Sequence, residues 1–437
     1  MIAISSFSSK ARRLLVSSAA LLALASGAIA QQCQPLVAEN TLYAFTQGDG
    51  PPSGGLVTDS FGALYGLSRI GGGGYGAAFK LTPPLPPATS WTKSVIYAFG
   101  ERNWDGYWPL GSLTLGAGGA LYGMTERGGM FLNGTVFRLT PPVSAYLPWT
   151  ETVLYDLQPG RGIYPEPGLV ADSVGGLYGA MLSPDFGAVF KLPPASLIAP
   201  LAYRNSAEIT LYEFTSIFAG SDPAGPLVFG PGGALYGTTY FGGTTYSGAV
   251  FKLTPPVSGS GPWTESVLYS FLNGADGAHP SSGVTLSADG SLYGATTLSA
   301  SQIVTLSYGT VYKLTPGAGS WSKTILHSFT GGADGASPGG VIIDNWGAVY
   351  GVASGGGLAK CTGGCGLAFK LTPPVAPATQ WTKTVLHAFN GADGASPQTT
   401  LVFDHNGGLY GTTASGGPDG NGVVFKVQTL NSPPGCL

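Results

Sequence analysis

The chain has 437 residues, a formal net charge of −3 and only 9% charged residues. Because phosphate neutralisation needs clustered positive charge and no block of Lys or Arg follows residue 30, nucleic acid is not expected as a partner. Glycine and proline are abundant (71 and 34 residues), but 11% aromatic and 43% hydrophobic residues argue against disorder and indicate a packed core.

The first thirty residues have the pattern of a signal peptide. Positive residues from Lys10 to Arg13 precede an apolar run over 14–25, and Ala30 ends a motif of small residues suited to cleavage. The apolar run is too short to span a membrane, and no second one follows. We therefore expect a signal peptide over 1–30, cleavage near Ala30, and a single mature domain over 31–437 in the periplasm or outside the cell.

Seven repeats of about 57 residues fill the rest of the chain. Each contains a Leu-Tyr-Gly or Val-Tyr-Gly triplet, with tyrosines at Tyr65, Tyr122, Tyr178, Tyr236, Tyr293, Tyr350 and Tyr410. An aromatic residue followed by Lys or Arg comes next, as at Phe79-Lys80, and then a strand-like Val-Leu-Tyr-x-Phe run. Four short alternating runs per repeat, joined by turn residues and without helical periodicity, predict an all-β, seven-bladed β-propeller with four antiparallel strands per blade.

Small residues at the start of each repeat, such as Gly54 and Gly55, predict the innermost strand, because seven sheets that converge on one axis leave little room for side chains. The Val-Leu-Tyr-x-Phe run is then the outermost strand. The mature chain begins with such a run at 41–45, whereas the last repeat stops after its third strand at 423–427. We expect the N-terminal strand to complete the last blade, which removes an open sheet edge.

Four cysteines in an exported chain favour disulfides, and three pairings are possible. Cys33 and Cys436 flank the two runs expected to meet in the last blade, so a bond between them would replace the peptide connection that this blade lacks. Cys361 and Cys365 would then pair locally. A metal site at Cys361 and Cys365 is the alternative, but neither a histidine nor a second cysteine pair lies near them in sequence.

The motif set resembles that of exported bacterial proteins with GloVer tandem repeats, a choice-of-anchor family. The elements that carry the resemblance are D-x-x-G-x-L-Y-G-T-T, G-x-V-F-K-L-T-P and G-A-D-G-A-x-P, and they extend over 41–427. The resemblance implies β-propeller-like repeats with variable C-terminal anchors, and it implies no activity. This chain ends at 431–437 without an anchor-like segment, so we expect release rather than attachment.

An acidic residue recurs in the loop between blades, at Asp49, Asp105, Asp276, Asp334 and Asp393, with Asp222 slightly displaced. A ring of carboxylates could bind structural calcium. The favoured interpretation is that each aspartate accepts loop N–H groups, because a ligand site rarely needs every blade. The repeated tyrosines and Phe-Lys pairs are attributed to packing between blades for the same reason.

The histidines do not indicate a catalytic or metal site. His327 and His387 occupy the tyrosine position of the outer strand, and His279 and His405 lack Cys, Asp or His at ligand spacing. A serine-nucleophile motif, a phosphate loop and a zinc signature are also absent from the sequence. We therefore expect no cofactor.

Departures from the repeat indicate where a ligand could bind. The loop over 101–108 has three aromatic residues where other repeats have Ala and Ser, and Arg69, Glu126, Asp185, Tyr240 and Phe241 are expected on the same face. Aromatic rings beside Arg and carboxylates suit carbohydrate. A larger loop that packs on itself, without a ligand, is the favoured interpretation of the two. The candidate ligand-binding residues are Trp104, Asp105, Tyr107, Trp108, Arg127, Arg161 and Tyr164.

The leading hypothesis is a monomeric, secreted, non-catalytic binding propeller for carbohydrate or an extracellular protein. A carbohydrate-active enzyme, either a glycoside hydrolase or a polysaccharide lyase, is the alternative. It would need two carboxylates about 5–9 Å apart, and the candidates are Asp105, Glu126 and Asp185. A purely structural surface protein is the second alternative, and it predicts no ligand.

Overall fold

The structure is a computed structural model that describes residues 37–102, 104–144, 146–158, 163–166, 168–182, 185–194, 209–257, 259, 261–297, 308–404 and 407–429. Glu39–Val427 form one compact unit. A second unit comprises 1–38 and 428–437, of which only residues 37, 38, 428 and 429 are described. Cys33, Cys436, Arg161 and the expected signal peptide lie outside the described residues, so the predictions that rest on them stay predictions.

The strands fall into seven consecutive groups, which we call blades 1 to 7. Strand β1 (Val37–Ala44) precedes blade 1, which contains β2 (Val57–Thr58), β3 (Leu64–Ser68), β4 (Ala77–Thr82) and β5 (Thr92–Ala98). Blade 2 contains β6 (Gly106–Leu115), β7 (Leu121–Gly128), β8 (Thr135–Thr140) and β9 (Thr150–Asp156). Blade 3 contains β10 (Ile163–Pro165), β11 (Val170–Ala171), β12 (Leu177–Leu182), β13 (Ala188–Leu192) and β14 (Ile209–Glu213). Blade 4 contains β15 (Ser221–Phe229), β16 (Leu235–Phe241), β17 (Ala249–Thr254) and β18 (Thr264–Ser270).

The last three blades follow the same plan. Blade 5 contains β19 (Thr285–Leu286), β20 (Leu292–Thr296), β21 (Thr310–Pro316) and β22 (Trp321–Ser328). Blade 6 contains β23 (Ala336–Ile343), β24 (Val349–Gly355), β25 (Leu367–Thr372) and β26 (Thr382–Ala388). Blade 7 contains β27 (Ala395–Pro397), β28 (Val402–Phe403), β29 (Leu409–Ser415) and β30 (Val423–Thr429). Short 3₁₀ turns occupy Ala117–Gly119, Pro231–Gly233, Gly274–Asp276 and Gly332–Asp334, and the described ranges contain no α-helix.

Each blade is an antiparallel sheet, and the predicted seven-bladed propeller is confirmed. In blades 3 and 7 the inner strand is split into two segments, and both segments pair with the next strand (β12 and β29). In blade 7 the order is β27-β29-β30-β1, so the N-terminal strand completes the last blade as expected. The N–H of Phe45 donates to the carbonyl of Gly422 at 3.0 Å just beyond these strands. The ring is therefore closed by residues from opposite ends of the chain.

The first segment of each blade leaves almost no room for side chains. A Cβ atom on Gly54 would lie 1.8 Å from the carbonyl oxygen of Gly111 in the next blade, and one on Gly340 would lie 2.1 Å from Oγ1 of Thr400. Real Cβ contacts are never this short, so glycine is required where the blades converge. The assignment of the small-residue run to the crowded inner edge is thus correct.

The hydrophobic core lies between neighbouring blades. Tyr65, Leu67 and Phe99 of blade 1 pack in one buried cluster with Leu121 and Phe137 of blade 2. The rings of Phe99 and Phe137 are 4.9 Å apart. Because strand side chains alternate between two faces, each sheet buries residues against both adjacent sheets, which explains why the strands contain so few charges.

Loops at opposite ends of the strands define two faces. We call upper the face that carries the loops between second and third strands (69–76 in blade 1) and the loops between blades (99–105). The lower face carries the turn between first and second strands (59–62) and the loop between third and fourth strands (83–91). On the upper side, Cys361 and Cys365 form the predicted local disulfide. Among the described residues, no helix has the length and apolar character to cross a membrane.

Candidate functional site

The repeated tyrosine is a packing residue. The hydroxyl of Tyr65 donates to Asp59 at 3.0 Å, and the ammonium of Lys80 lies 5.4 Å from the centre of its ring. Trp149 of the next blade meets the ring edge to face at 6.1 Å. Tyr178 in blade 3 repeats this arrangement. These contacts support the interpretation that the consensus residues pack between blades.

The loop aspartates close the loops in which they lie. Asp276 accepts hydrogen bonds from the hydroxyl of Tyr269 and the N–H of Leu272, each at 2.7 Å, and from Lys323 of the next blade at 2.9 Å. Burial opposes ionisation, but these donors hold the pKa of Asp276 below its usual value. Four other aspartates accept bonds from a tyrosine or histidine and from a loop N–H: Asp49, Asp105, Asp334 and Asp393. In the described part of the chain, no group of three or more His, Cys, Asp or Glu could hold a metal ion.

Among the described residues, the lysine that reaches the preceding blade is replaced by glutamate in blades 2 and 4. Glu151 and Glu265 pair in register with Leu139 and Leu253, as Lys323 pairs with Leu314. Burial raises the pKa of Glu265 to about 7. The charge at this position of the outer strand therefore differs between blades, although the strand register is the same.

A special backbone position recurs on the upper face where each inner strand begins. Five residues that directly precede a proline have left-handed backbone with φ between 53° and 56°: Trp108, Asp222, His279, Ser337 and Ser396. Their N–H groups donate at 2.7–3.0 Å to carbonyls in the second-to-third-strand loop of the preceding blade. Left-handed geometry costs a residue other than glycine about 1–2 kcal/mol. The backbone has one structural role in all five blades, so the side chains are free to differ, and Trp, Asp and His occupy blades 2, 4 and 5.

Trp108 belongs to an aromatic cluster on the upper face, which we define as Arg69, Tyr75, Tyr107, Trp108 and Glu126. The guanidinium of Arg69 lies 5.3 Å from the Trp108 ring centre and forms an ion pair with Glu126. Tyr107 contacts Trp108 at 5.4 Å and Tyr75 at 5.8 Å, both edge to face. The Arg69 side chain is 50% exposed. Rings held at fixed angles beside a charged pair are what stacking on a sugar requires.

A second feature of the upper face is a cavity of about 340 Å³, which we call the carboxyl cavity. Its walls include Glu166 of blade 3, Asp222 and Tyr240 of blade 4, and Ser281 of blade 5. Burial, reinforced by the charge of Asp222, raises the pKa of Glu166 to about 7, although the N–H of Gly225 donates to its carboxyl. Burial also raises the pKa of Asp222. Within the described residues neither carboxyl forms an ion pair.

Tyr240 is held in place by a stacked histidine. The rings of Tyr240 and His279 are 4.9 Å apart and inclined by 25°, and Nδ1 of His279 lies 3.0 Å from the Tyr240 carbonyl oxygen. Phe241 meets the His279 ring edge to face at 5.3 Å. His279 is 8% exposed. The aromatic wall of the cavity is therefore rigid.

The residues predicted to bind a ligand are only partly brought together. Tyr107 and Trp108 lie in the aromatic cluster, and Arg127 pairs in register with Tyr107. Trp104 is 51% exposed, whereas Asp105 is 3% exposed and accepts bonds from Tyr97 and Gly100 within its loop. Arg161 lies outside the described residues, and of Tyr164 the structure describes only the backbone, in β10.

Sequence reasoning missed the carboxyl cavity. Asp222 was grouped with the loop aspartates, but it lies at the left-handed position instead and makes none of their loop contacts. Glu166 follows the proline that begins the inner strand, where other repeats have Ser53, Leu110 and Ser281. An alignment of the seven repeats on that proline would have shown Glu166 as an exceptional charge. The stacking of His279 on Tyr240 had no sequence signal, since the two residues come from different blades.

The fold and these contacts define the chain as a seven-bladed β-propeller protein with a cavity of ligand size on its upper face. The family model of the Gloeobacter/Verrucomicrobia repeat matches residues 25–206 and 298–433. This is more than half of the chain, and the protein belongs to that family. The resemblance noted from the repeat motifs is thereby confirmed. A search of curated proteins finds no match.

Solved structures with a similar fold are distant in sequence. The extracellular domain of the putative one-component system BT4673 from B. thetaiotaomicron has a TM-score of 0.53 and 11% identity, over 91% of this chain and 43% of that one. A puromycin-hydrolysing peptidase of Mycobacterium tuberculosis has a TM-score of 0.51 and 13% identity, over 91% and 55%. PorZ, a surface component of the type-IX secretion system of Porphyromonas gingivalis, has a TM-score of 0.51 and 13% identity, over 90% of this chain and 48% of that one. This chain spans about half of each, and the likeness concerns the fold alone.

Proposed function

We propose that this protein is an exported, non-catalytic binding protein that takes carbohydrate at the upper face of the propeller. One observation carries the proposal: the left-handed position before the inner-strand proline has a constant backbone role and a variable side chain. Residues kept in strained geometry cluster at ligand sites. At this position the chain has Trp108, Asp222 and His279 in blades 2, 4 and 5, and serine in blades 6 and 7.

The aromatic cluster supports carbohydrate as the ligand class. A pyranose ring presents an apolar C–H face and an edge of hydroxyl groups. The Trp108 ring can stack on the C–H face. The Arg69–Glu126 pair offers hydrogen-bond donors and acceptors to the hydroxyl groups. A protein partner could also contact such residues. An array that carries both oligosaccharides and glycoproteins distinguishes a carbohydrate ligand from a protein partner.

Binding to an array of defined oligosaccharides tests the proposal, with Trp108→Ala compared against wild type. We expect at least a tenfold loss of affinity, since an aromatic anchor contributes about 1.4 kcal/mol or more. Trp346→Ala is the matched control, because Trp346 is 85% exposed on a turn of the lower face. Unchanged binding in Trp108→Ala, or an equal loss in Trp346→Ala, would contradict the proposal. Binding of no oligosaccharide at all would favour a purely structural protein.

A carbohydrate-active enzyme is the second candidate, and the pairing of Glu166 with Asp222 is the observation that favours it. A carboxyl with a pKa of about 7 is protonated often enough at neutral pH to act as a general acid. Asp105 and Glu126 suit this role less well, because Asp105 is buried in its loop and Glu126 pairs with Arg69. Release of reducing ends or unsaturated sugars by wild type, and its loss in Glu166→Gln, would establish the enzyme.

A further inference from the structure

We propose that the carboxyl cavity binds the protonated amino group of an amino sugar. This inference rests on the proposed function, because it names the class of sugar that the upper face would take. It concerns Glu166, Asp222, Tyr240 and Ser281, and it does not involve the aromatic cluster.

The size of the cavity suits one ring-sized group. Ligand pockets are typically about 300–1,000 Å³, and this one is at the lower end with about 340 Å³. Its lining comes from three consecutive blades, and it opens where their inner strands begin. A group bound here would also contact Pro223 and Ala224, which follow Asp222 in β15.

The charge of the cavity favours a cation. Glu166 and Asp222 are both carboxyl groups, and in the described part of the chain neither has a lysine or arginine partner. In the loops, by contrast, Asp276 and Asp334 are each matched by a lysine at 2.9 Å and 2.7 Å. Partly buried carboxylates without a counter-charge are costly, and an ammonium group between them would offset that cost. A neutral hydroxyl would supply a hydrogen bond but no charge.

The remaining wall favours an amine on a sugar over a bare metal ion. Tyr240 presents a rigid aromatic ring, fixed by His279. An aromatic ring attracts both an ammonium group and the C–H face of a pyranose, whereas it offers nothing to a hard divalent cation. Ser281 is exposed at the rim and adds a hydroxyl for a neighbouring sugar oxygen.

Calorimetric titration at pH 7 tests the inference with two probes of equal length, a glucosamine hexamer and an N-acetylglucosamine hexamer. We expect the free-amine hexamer to bind at least tenfold more tightly than the acetylated one. Glu166→Gln and Asp222→Asn should each abolish this preference, because each should weaken binding of the free-amine hexamer at least tenfold. Glu265→Gln is the matched control, since Glu265 is also a partly buried carboxyl with a raised pKa but lies in the outer strand of blade 4. Thermal unfolding of each variant checks the fold.

The outcomes separate the two proposals. If both hexamers bind equally, or if the preference survives in both cavity variants, the inference is wrong and carbohydrate binding stands. If spermidine binds as tightly as the glucosamine hexamer, the cavity recognises any ammonium group and the assignment to an amino sugar fails. If no oligosaccharide or amine binds, the inference and the proposed function both fail.

Discussion

The ammonium group of Lys323 lies 2.9 Å from the carboxylate of Asp276, and the two residues belong to the outer strand of blade 5 and the loop that leaves blade 4. The Lys323 side chain is only 4% exposed. Lys383 and Asp334 repeat the bridge one blade further on at 2.7 Å. The blades are thus joined by partly buried ion pairs as well as by apolar packing, in a chain with few charges.

Replacing Lys323 with methionine should lower the free energy of unfolding by about 1–3 kcal/mol, because Asp276 would keep its charge without its cationic partner. Urea unfolding followed by tryptophan fluorescence measures the change. Lys360→Met is the control, since Lys360 is exposed, and it should be neutral within about 0.5 kcal/mol. An equal change in the free energy of unfolding in the two variants would mean that the Lys323–Asp276 ion pair does not stabilise the fold.

Glu265→Gln should stabilise the protein in a pH-dependent way. Burial raises the pKa of Glu265 from 4.5 to about 7, so the folded state holds a proton that the unfolded state releases. Below pH 4.5 Glu265 is protonated in both the folded and the unfolded state, so it does not lower the stability of the fold. As pH rises towards 7 the cost grows, and above 7 it is constant. We expect the variant to gain roughly 1–2 kcal/mol over wild type at pH 8 and little at pH 4.5.

Urea unfolding at pH 4.5, 6 and 8 measures this difference. Glu213→Gln is the control, because Glu213 is exposed at the end of β14. A stability difference between Glu265→Gln and wild type that does not vary with pH would show that folding leaves the pKa of Glu265 unchanged.

Ser396→Gly should raise the free energy of unfolding by up to about 1 kcal/mol. Ser396 has a φ of 54°, which glycine adopts without steric cost, and its structural contact is made by its N–H, which glycine retains. Ser94→Gly in the extended strand β5 is the opposite control and should destabilise by about 0.5–1 kcal/mol. Thermal unfolding measures the stability of both variants. A change in stability of the same sign in the two variants would refute the strain argument.

Gly54→Ala should prevent stable folding or destabilise it by more than about 3 kcal/mol, because the added methyl would overlap the Gly111 carbonyl of the next blade. Gly48→Ala is the matched control. Its Cβ would lie 4.0 Å from the nearest atom, in the Thr46 side chain. Circular dichroism and soluble yield compare the two, and a well-folded Gly54→Ala protein would show that the inner strands can move apart.

The fold could be predicted almost completely, because the same pattern of strand, turn and core residues occurs in every repeat. Turn residues, strand alternation and the Tyr and Phe-Lys positions recur seven times, so a local error in one repeat is corrected by the others. The closure by β1 followed from counting strands at the two ends. The bond between Cys33 and Cys436 stays a prediction.

The site was harder to predict, because its residues meet across blades. The aromatic run at Tyr107 and Trp108 was visible, since three aromatics in one loop break the repeat. Asp222 was missed because it resembled a consensus aspartate, although it differs from Asp276 in its backbone angle and in its loop contacts. Glu166 was missed because its chemistry depends on burial, and burial depends on which blade lies next to it.

The hydrogen bond from Phe45 to Gly422 joins the beginning of the propeller to its end. Six blades can be assembled from contiguous sequence, but the seventh takes strands from both termini of the ring. Closing it brings together parts of the chain at the greatest sequence separation, and such contacts form late because their loop-closure entropy precedes any gain. Until β1 pairs with β30, the last blade keeps an unpaired strand edge at β30, whereas blade 1 is complete without β1. We therefore expect the pairing of these two strands to be a late step in folding.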